Sequence, residues 1–324
     1  YVFRTTGTAF NLDLPDLERI LNRTLSAQPG NRVFPPLSPK EQCHMDFRKP
    51  ASRILFIGHR GFPALAPENT LPSFERALDA GCDAIECDVR ITKDGHFVVM
   101  HDETPARTTD AAERFPGKTP RVSDLTFSEI RQLDAGSWFA GQDPFGSIAD
   151  SRLSRKEAEA YRGAAVPELS EVFELVRKRG CYLVLELKDQ AGLPWDGSTV
   201  EDCVARIREA GLTDRTLFAS FSRAYLKRAC AACPELATGL LAGVRPDNPI
   251  DDCLGCHAAC YMPRPEAVMG CDLHCMRFAK IPVNMWTIND PAKALQQSIL
   301  GVNGFYTDDP EKLTALFPDR PPLR

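Results

Sequence analysis

The 324-residue sequence has no run of ~18 apolar, uncharged residues, the length a membrane-crossing helix needs, so no transmembrane segment is expected. It also has no excess of basic charge: 39 Lys and Arg stand against 44 Asp and Glu. A nucleic-acid partner, which calls for a basic face, is therefore not expected. An anionic substrate would need a local positive site instead. No G-x-G-x-x-G follows the first strand-like run, which removes the dinucleotide-binding fingerprint. No charged stretch, apolar stretch and cleavage site open the chain from Tyr1, so any targeting segment is expected to have been removed already. Histidine is scarce, at 6 residues, so the two that end strand-like runs stand out. With 43% hydrophobic and 26% charged residues, chain-wide disorder is excluded.

Cysteine, by contrast, is abundant, with 12 residues. Cys82, Cys87, Cys181 and Cys203 fall in or beside apolar-periodic segments, where a thiol acts as a small core hydrophobe. Isolated core thiols favour a reducing, cytoplasmic setting over secretion. Cys230, Cys233, Cys253, Cys256, Cys260, Cys271 and Cys275 form a denser set that could hold disulfides or a metal. Cys253-Leu254-Gly255-Cys256-His257 matches the C-x-x-C-H pattern of haem attachment. A Cys-rich metal or redox accessory protein is therefore the rival class.

Residues 1–52 read as an N-terminal extension: an amphipathic helix starting near Pro15, then a proline-rich linker over Pro29–Pro39. From Arg53 to about residue 318 the texture is that of a single domain. Apolar runs at Ile54–Gly58, Ala84–Val89, Phe97–Met100, Tyr182–Leu187, Thr216–Phe221, Ala237–Leu241, Ala258–Met262, Val283–Ile288 and Gly304–Tyr306 alternate with helix-length stretches. This alternation predicts an α/β fold with a parallel sheet, and the length suits a TIM-type (β/α)8 barrel. Nine runs are one too many, and Ala258–Met262 is expected to be short or irregular. A small inserted subdomain is expected at about 110–167, after the third strand.

One connection places chemistry. Asp88 and His101 are too close for a crossover helix, so a hairpin is expected, with Asp94-Gly95 as its two-residue turn. That register pairs Lys93 with His96, Thr92 with Phe97, and Asp88 with His101. Glu86 shares the face of Asp88. Acids inside apolar strands are costly unless paired or metal-bound. Glu86 and Asp88 on one strand and Glu186 on another favour one divalent cation, Mg²⁺ or Ca²⁺, over a buried Glu186–Lys188 salt bridge. His59 and His101 supply groups that titrate near neutrality, and Arg60 and Lys188 supply cations for an anion. Together they suit a phosphodiester better than a glycoside or an acyl group.

The residues also carry a family resemblance. His59-Arg60-Gly61, followed by Pro67-Glu68-Asn69-Thr70, Glu86-Cys87-Asp88, Val98-Val99-Met100-His101-Asp102, Leu185-Glu186-Leu187-Lys188, Trp286-Thr287-Ile288-Asn289 and Phe305-Tyr306-Thr307-Asp308, resembles the glycerophosphodiester phosphodiesterase family over about residues 53–313. The resemblance implies a TIM-type barrel that hydrolyses a small-molecule glycerophosphodiester to glycerol 3-phosphate and an alcohol. It implies Glu86, Asp88 and Glu186 as metal ligands, His59 and His101 as the acid–base pair, and Arg60 and Lys188 as phosphate-binding residues. Phe221 and Trp286 match positions where rings bound the glycerol end. Glu68 and Asn69 read as a turn and a helix start. A lysophospholipase D-like or other phosphodiesterase on the same barrel is the alternative. The head group, the choice between Mg²⁺ and Ca²⁺, and the oligomeric state are left open by the sequence.

Overall fold

A computed structural model describes residues 46–51 and 53–317. The helix expected near Pro15 and the linker over Pro29–Pro39 lie outside the described residues. Eight strands run parallel and each leads to a helix: β1 (Leu55–Gly58) to α1 (Leu71–Asp79), β2 (Ala84–Ile91) to α2 (Leu169–Arg179) and β4 (Tyr182–Leu187) to α3 (Thr199–Glu209). Next come β5 (Thr216–Ser220) with α4 (Arg223–Ala232), β6 (Ala237–Ala242) with α5 (Pro249–Gly255) and β7 (Cys260–Pro263) with α6 (Gly270–Ala279). The last units are β8 (Asn284–Met285) with α7 (Pro291–Ile299) and β9 (Gly304–Thr307) with α8 (Pro310–Thr314). Hydrogen bonding orders the strands β7-β6-β5-β4-β2-β1-β9-β8, and a parallel bridge from Tyr261 to Val283 closes the ring. The fold is an α/β barrel of the TIM type.

The surplus ninth strand is not the one expected. The Ala258–Met262 run yields a regular four-residue strand, β7, inside the ring. The extra strand is β3 (Phe97–Val99), which pairs antiparallel with β2 outside the ring. A hairpin arm returns the chain without a crossover helix, so it cannot be a ring member of a parallel barrel.

Two apolar layers explain why the strands are buried almost end to end. Ile57, Ala84, Val184, Leu217, Leu241, Met262 and Tyr306 fill the interior. Ile85, Cys87, Val89, Leu183 and Leu185 point outward against the helices. Phe47 joins the inner layer, edge-on to Tyr182 at 5.9 Å between centroids. A third cluster, including Val98, Met100, Ile130 and Leu133, lies under the segment between β3 and α2, which carries several short helices. Arg152 in that segment forms a two-pronged ion pair with Asp309 after β9, at 2.6 and 2.9 Å.

Local sequence sets the helix that frames the site. Thr70 caps α1 by accepting from the Ser73 backbone N–H, and Pro72 occupies its first turn, where no donor is lost. Among the described residues no helix is long and apolar enough to cross a membrane.

Candidate active site

Strand register assembles the acids. β2 pairs with β4 so that Asp88 stands beside Glu186, and Glu86 lies two residues earlier on the same inward face. All three side chains are buried, and they offer oxygens that lie within 4.8 Å of one another. This is the one such cluster of His, Cys, Asp and Glu among the described residues.

The turn after β1 delivers His59 and Arg60. A Cβ on Gly58 would lie 2.6 Å from the Gly61 carbonyl oxygen, and one on Gly61, at φ +93°, 2.4 Å from Ser73 Oγ. Only glycine fits at either position. Arg60 itself adopts φ 53°, an uncommon backbone state for a side-chain-bearing residue. This turn points the Arg60 backbone N–H at Glu86 Oε2, 2.8 Å away. Its guanidinium reaches Glu68 at 2.9 Å and Asp88 at 3.2 Å. His59 Nδ1 lies 2.7 Å from Asp308 Oδ1. An ionised carboxylate only accepts, so Nδ1 carries the proton and Nε2 is left for the cavity.

His101 arrives by a register different from the one expected. Val89 pairs with Val99 and Ile91 with Phe97, while the Met100 N–H donates to the Asp88 carbonyl. Asp88 is thus opposite Met100, one residue short of the Asp88–His101 pairing. The loop has three residues, Lys93-Asp94-Gly95, with Gly95 at φ +84°, in place of a two-residue turn. A three-residue loop closed by a left-handed glycine is a common hairpin alternative. His101 still reaches the site because it follows the end of β3, where strand alternation no longer sets its face. Asp102 Oδ1 holds its Nδ1 at 2.7 Å. Arg107 then links Asp102 (2.6 Å) to Glu68 (2.7 Å).

Lys188 Nζ sits between two acids, 2.7 Å from Asp88 and 2.5 Å from Glu186. The Glu186–Lys188 salt bridge is therefore present, yet it does not neutralise the cluster. Burial, joined by the charge of Asp88, pushes the Glu86 carboxyl up to about 8. Burial would also raise Asp88, but Lys188 and Arg60 outweigh it and hold that carboxyl well below the carboxylate range. Glu186 is raised by burial and by Asp88. Burial would lower His59, but its bond to Asp308 wins and raises it. Three hard oxygen donors in a buried site, where burial and a neighbouring carboxylate oppose ionisation of Glu86, fit a divalent cation.

The remaining wall is apolar. The cavity, about 80 Å³, is lined by His59, Glu86, His101, Glu186, Lys188 and Phe221, with Trp286 and Tyr306 among its other walls. Phe221 and Trp286 meet edge to face at 5.7 Å, and the Arg264 guanidinium lies 5.1 Å from the Trp286 ring centre. Trp286 Nε1 donates to the Met262 carbonyl at 2.7 Å. Among the described residues the buried Tyr306 hydroxyl has no hydrogen-bond partner.

All nine expected site residues therefore border one cavity or touch its acids. The sequence reading missed Asp308, Asp102, Arg107 and Tyr306, and it took Glu68 and Asn69 as purely structural. Asn69 in fact donates to Asp88 at 2.8 Å, from a backbone at φ 57°, and Thr70, not Asn69, caps α1. A signal existed for two of them: Asp308 follows a barrel strand's C-terminal end, and Asp102 follows His101. The Cys-rich rival reading fails on geometry. Cys253, Cys256 and Cys260 are buried free thiols and Cys271 and Cys275 are exposed on α6, and among the described residues no three of these side chains bring ligand atoms together.

The chain matches the glycerophosphoryl diester phosphodiesterase family over residues 59–312 and belongs to that family. It is a phosphoric diester hydrolase, a glycerophosphodiester phosphodiesterase. A glycerophosphodiester phosphodiesterase of Caldanaerobacter subterraneus is 33% identical over 269 residues, covering 82% of this chain and 98% of the relative. The structure of a phosphodiesterase from Silicibacter pomeroyi, described as a glycerophosphoryl diester phosphodiesterase, superposes with a TM-score of 0.74 at 26% identity, covering 85% of this chain and 98% of the other. An Oleispira antarctica phosphodiesterase, solved with the product sn-glycerol-3-phosphate, gives a TM-score of 0.66 at 28% identity, with coverage of 81% and 95%.

Proposed function

We propose that the chain hydrolyses glycerophosphodiesters to glycerol 3-phosphate and an alcohol, with Glu86, Asp88 and Glu186 holding one Mg²⁺ or Ca²⁺. The observation that carries the reading is the buried triad of acids, of which Glu86 lacks a side-chain cation as close as those serving Asp88. Glu86, Asp88 and Glu186 would hold the ion, which would supply positive charge to the phosphate. Arg60 and Lys188 hold the phosphate from the flanks, and the ring pair of Phe221 and Trp286 packs against the glycerol end.

His59, oriented by Asp308 with Nε2 free, takes the proton from the attacking oxygen, either water or the glycerol hydroxyl. His101, oriented by Asp102, returns a proton to the departing alkoxide. Tyr306 has a donor to spare and offers it to a ligand on the cavity floor. Release of glycerol 3-phosphate from glycerophosphocholine, followed with a coupled dehydrogenase, tests the reading. Chelation should abolish it, and Mg²⁺ or Ca²⁺ should restore it; undiminished turnover by metal-free protein would refute the metal assignment.

A further inference from the structure

The inward face of β2 does not end with its two acids. Arg90 follows Glu86 and Asp88 at the same two-residue spacing, so its side chain leaves the strand on their face. Arg90 pairs across the hairpin with Val98, and toward His101 the ladder ends with the Met100 N–H on the Asp88 carbonyl. Beyond that bond the chain turns out of the strand. The His101 carbonyl then accepts from Arg90 Nε at 2.9 Å, so a side chain takes over where the ladder stops. Arg90 is half-buried, yet among the described residues it forms no ion pair, unlike Arg60 and Lys188. Drawing a guanidinium part-way out of water is costly, and the bond it makes there is to the main chain of His101. Asp102 turns the His101 ring, but it is the next residue and rides on the same loop. Arg90 belongs to a strand of the ring instead. Its bond ties His101 to the strand that carries two of the three acids.

We propose that Arg90 is a positioning residue for the general acid: its Nε–H, held on the His101 carbonyl, sets where the imidazole stands relative to the departing alkoxide. The inference rests on the reading of His101 as that acid. The role belongs to the donor and not to the charge, because the acceptor is a neutral carbonyl and the bond is made by Nε alone. Arg90 itself touches neither the phosphate nor the proton in transit. Its loss should therefore weaken proton delivery and leave substrate binding and the attack on phosphorus in place.

Two variants separate donor from charge. Arg90→Met puts a methyl group at the place of Nε and removes the donor, whereas Arg90→Gln puts an amide nitrogen at the same place and keeps a donor without the charge. A misplacement of about 1 Å can cost 10²-fold in rate. Arg90→Met should thus lower kcat toward glycerophosphocholine by about 10- to 10²-fold with KM little changed. Toward a p-nitrophenyl diester of glycerol phosphate, whose phenolate departs without a proton, it should change little. Arg90→Gln should restore most of the loss. In a His101→Ala background Arg90→Met should cost nothing further, because the acid it positions is gone. Arg90→Ala, which also lacks the donor, gives the same readings where the methionine variant does not fold. Full activity without the donor, an equal loss on both diesters, a loss that glutamine leaves unrestored, or a further loss in the His101→Ala background overturns the positioning role. If His101→Ala itself does not discriminate between the two diesters, the reading of His101 as the acid fails, and the inference fails with it.

Discussion

Glu86 and Asp88 lie two residues apart on one face of β2, and their carboxyls are driven in opposite directions. Lys188 and Arg60 both approach Asp88 and hold it ionised, whereas Glu86 accepts from the Arg60 backbone and is pushed up to about 8. The side-chain cations of the site thus pair with Asp88 and Glu186 and leave Glu86 short of compensating charge.

That imbalance makes metal-free protein pH-sensitive. Glu86 has a folded-state value of about 8 against an ordinary 4.5, so its contribution to stability is complete below 4.5 and lost as pH rises through about 8. The metal-free melting temperature should fall over that interval, and added Mg²⁺ or Ca²⁺ should recover it. Glu86→Gln should flatten the pH dependence. Binding at neutral pH should release protons, which calorimetry in buffers of different ionisation enthalpy would detect.

Asp308→Asn should keep the fold and lower kcat by about 10²- to 10⁴-fold, because the neutral base is no longer held in place and the imidazolium it forms is no longer stabilised. The charge of Asp308 raises His59, so its loss should move the acid limb of the kcat profile to lower pH. A limb that stays in place would show that the titration belongs elsewhere.

The two histidines should separate by leaving group. His101→Ala should lose far more activity, about 10²-fold or greater, toward an alkyl diester than toward a p-nitrophenyl diester, whose phenolate hardly needs a proton. His59→Ala should impair both alike. Selectivity appearing in His59→Ala instead would reverse the roles.

Cys253→Ser should leave kcat close to the parent value and lower the melting temperature. The thiol is fully buried and touches none of the cavity residues named above, and a hydroxyl there is costly without a partner. A folded variant that has lost activity would put the segment in the catalytic machinery.

Much of this was legible in the residues. Alternating apolar runs identify a parallel barrel because buried parallel strands are apolar on both faces, and acids inside such runs announce themselves by their cost. The acid face of β2 follows from strand alternation alone. The hairpin register did not, because Asp94-Gly95 suits both a two-residue and a three-residue loop and only the closed structure selects between them. Asp308 was hidden for a different reason: 249 positions separate it from His59, and no local pattern reports a contact made by ring closure. Asn69 was misassigned because its sequence position suits a helix cap, while its left-handed backbone turns the side chain toward Asp88.

Ring closure also sets a schedule for activity. β1 and β9 are neighbours in the barrel, and the ribosome makes them at opposite ends of synthesis. A nascent chain presents the three acids, both histidines, Arg60 and Lys188 well before Asp308 emerges. Until then the barrel has two open edges, and His59 lacks the carboxylate that fixes its proton. A chain stopped short of that residue would carry the three acids without an oriented base, so premature products of translation would leave phosphodiesters largely uncut.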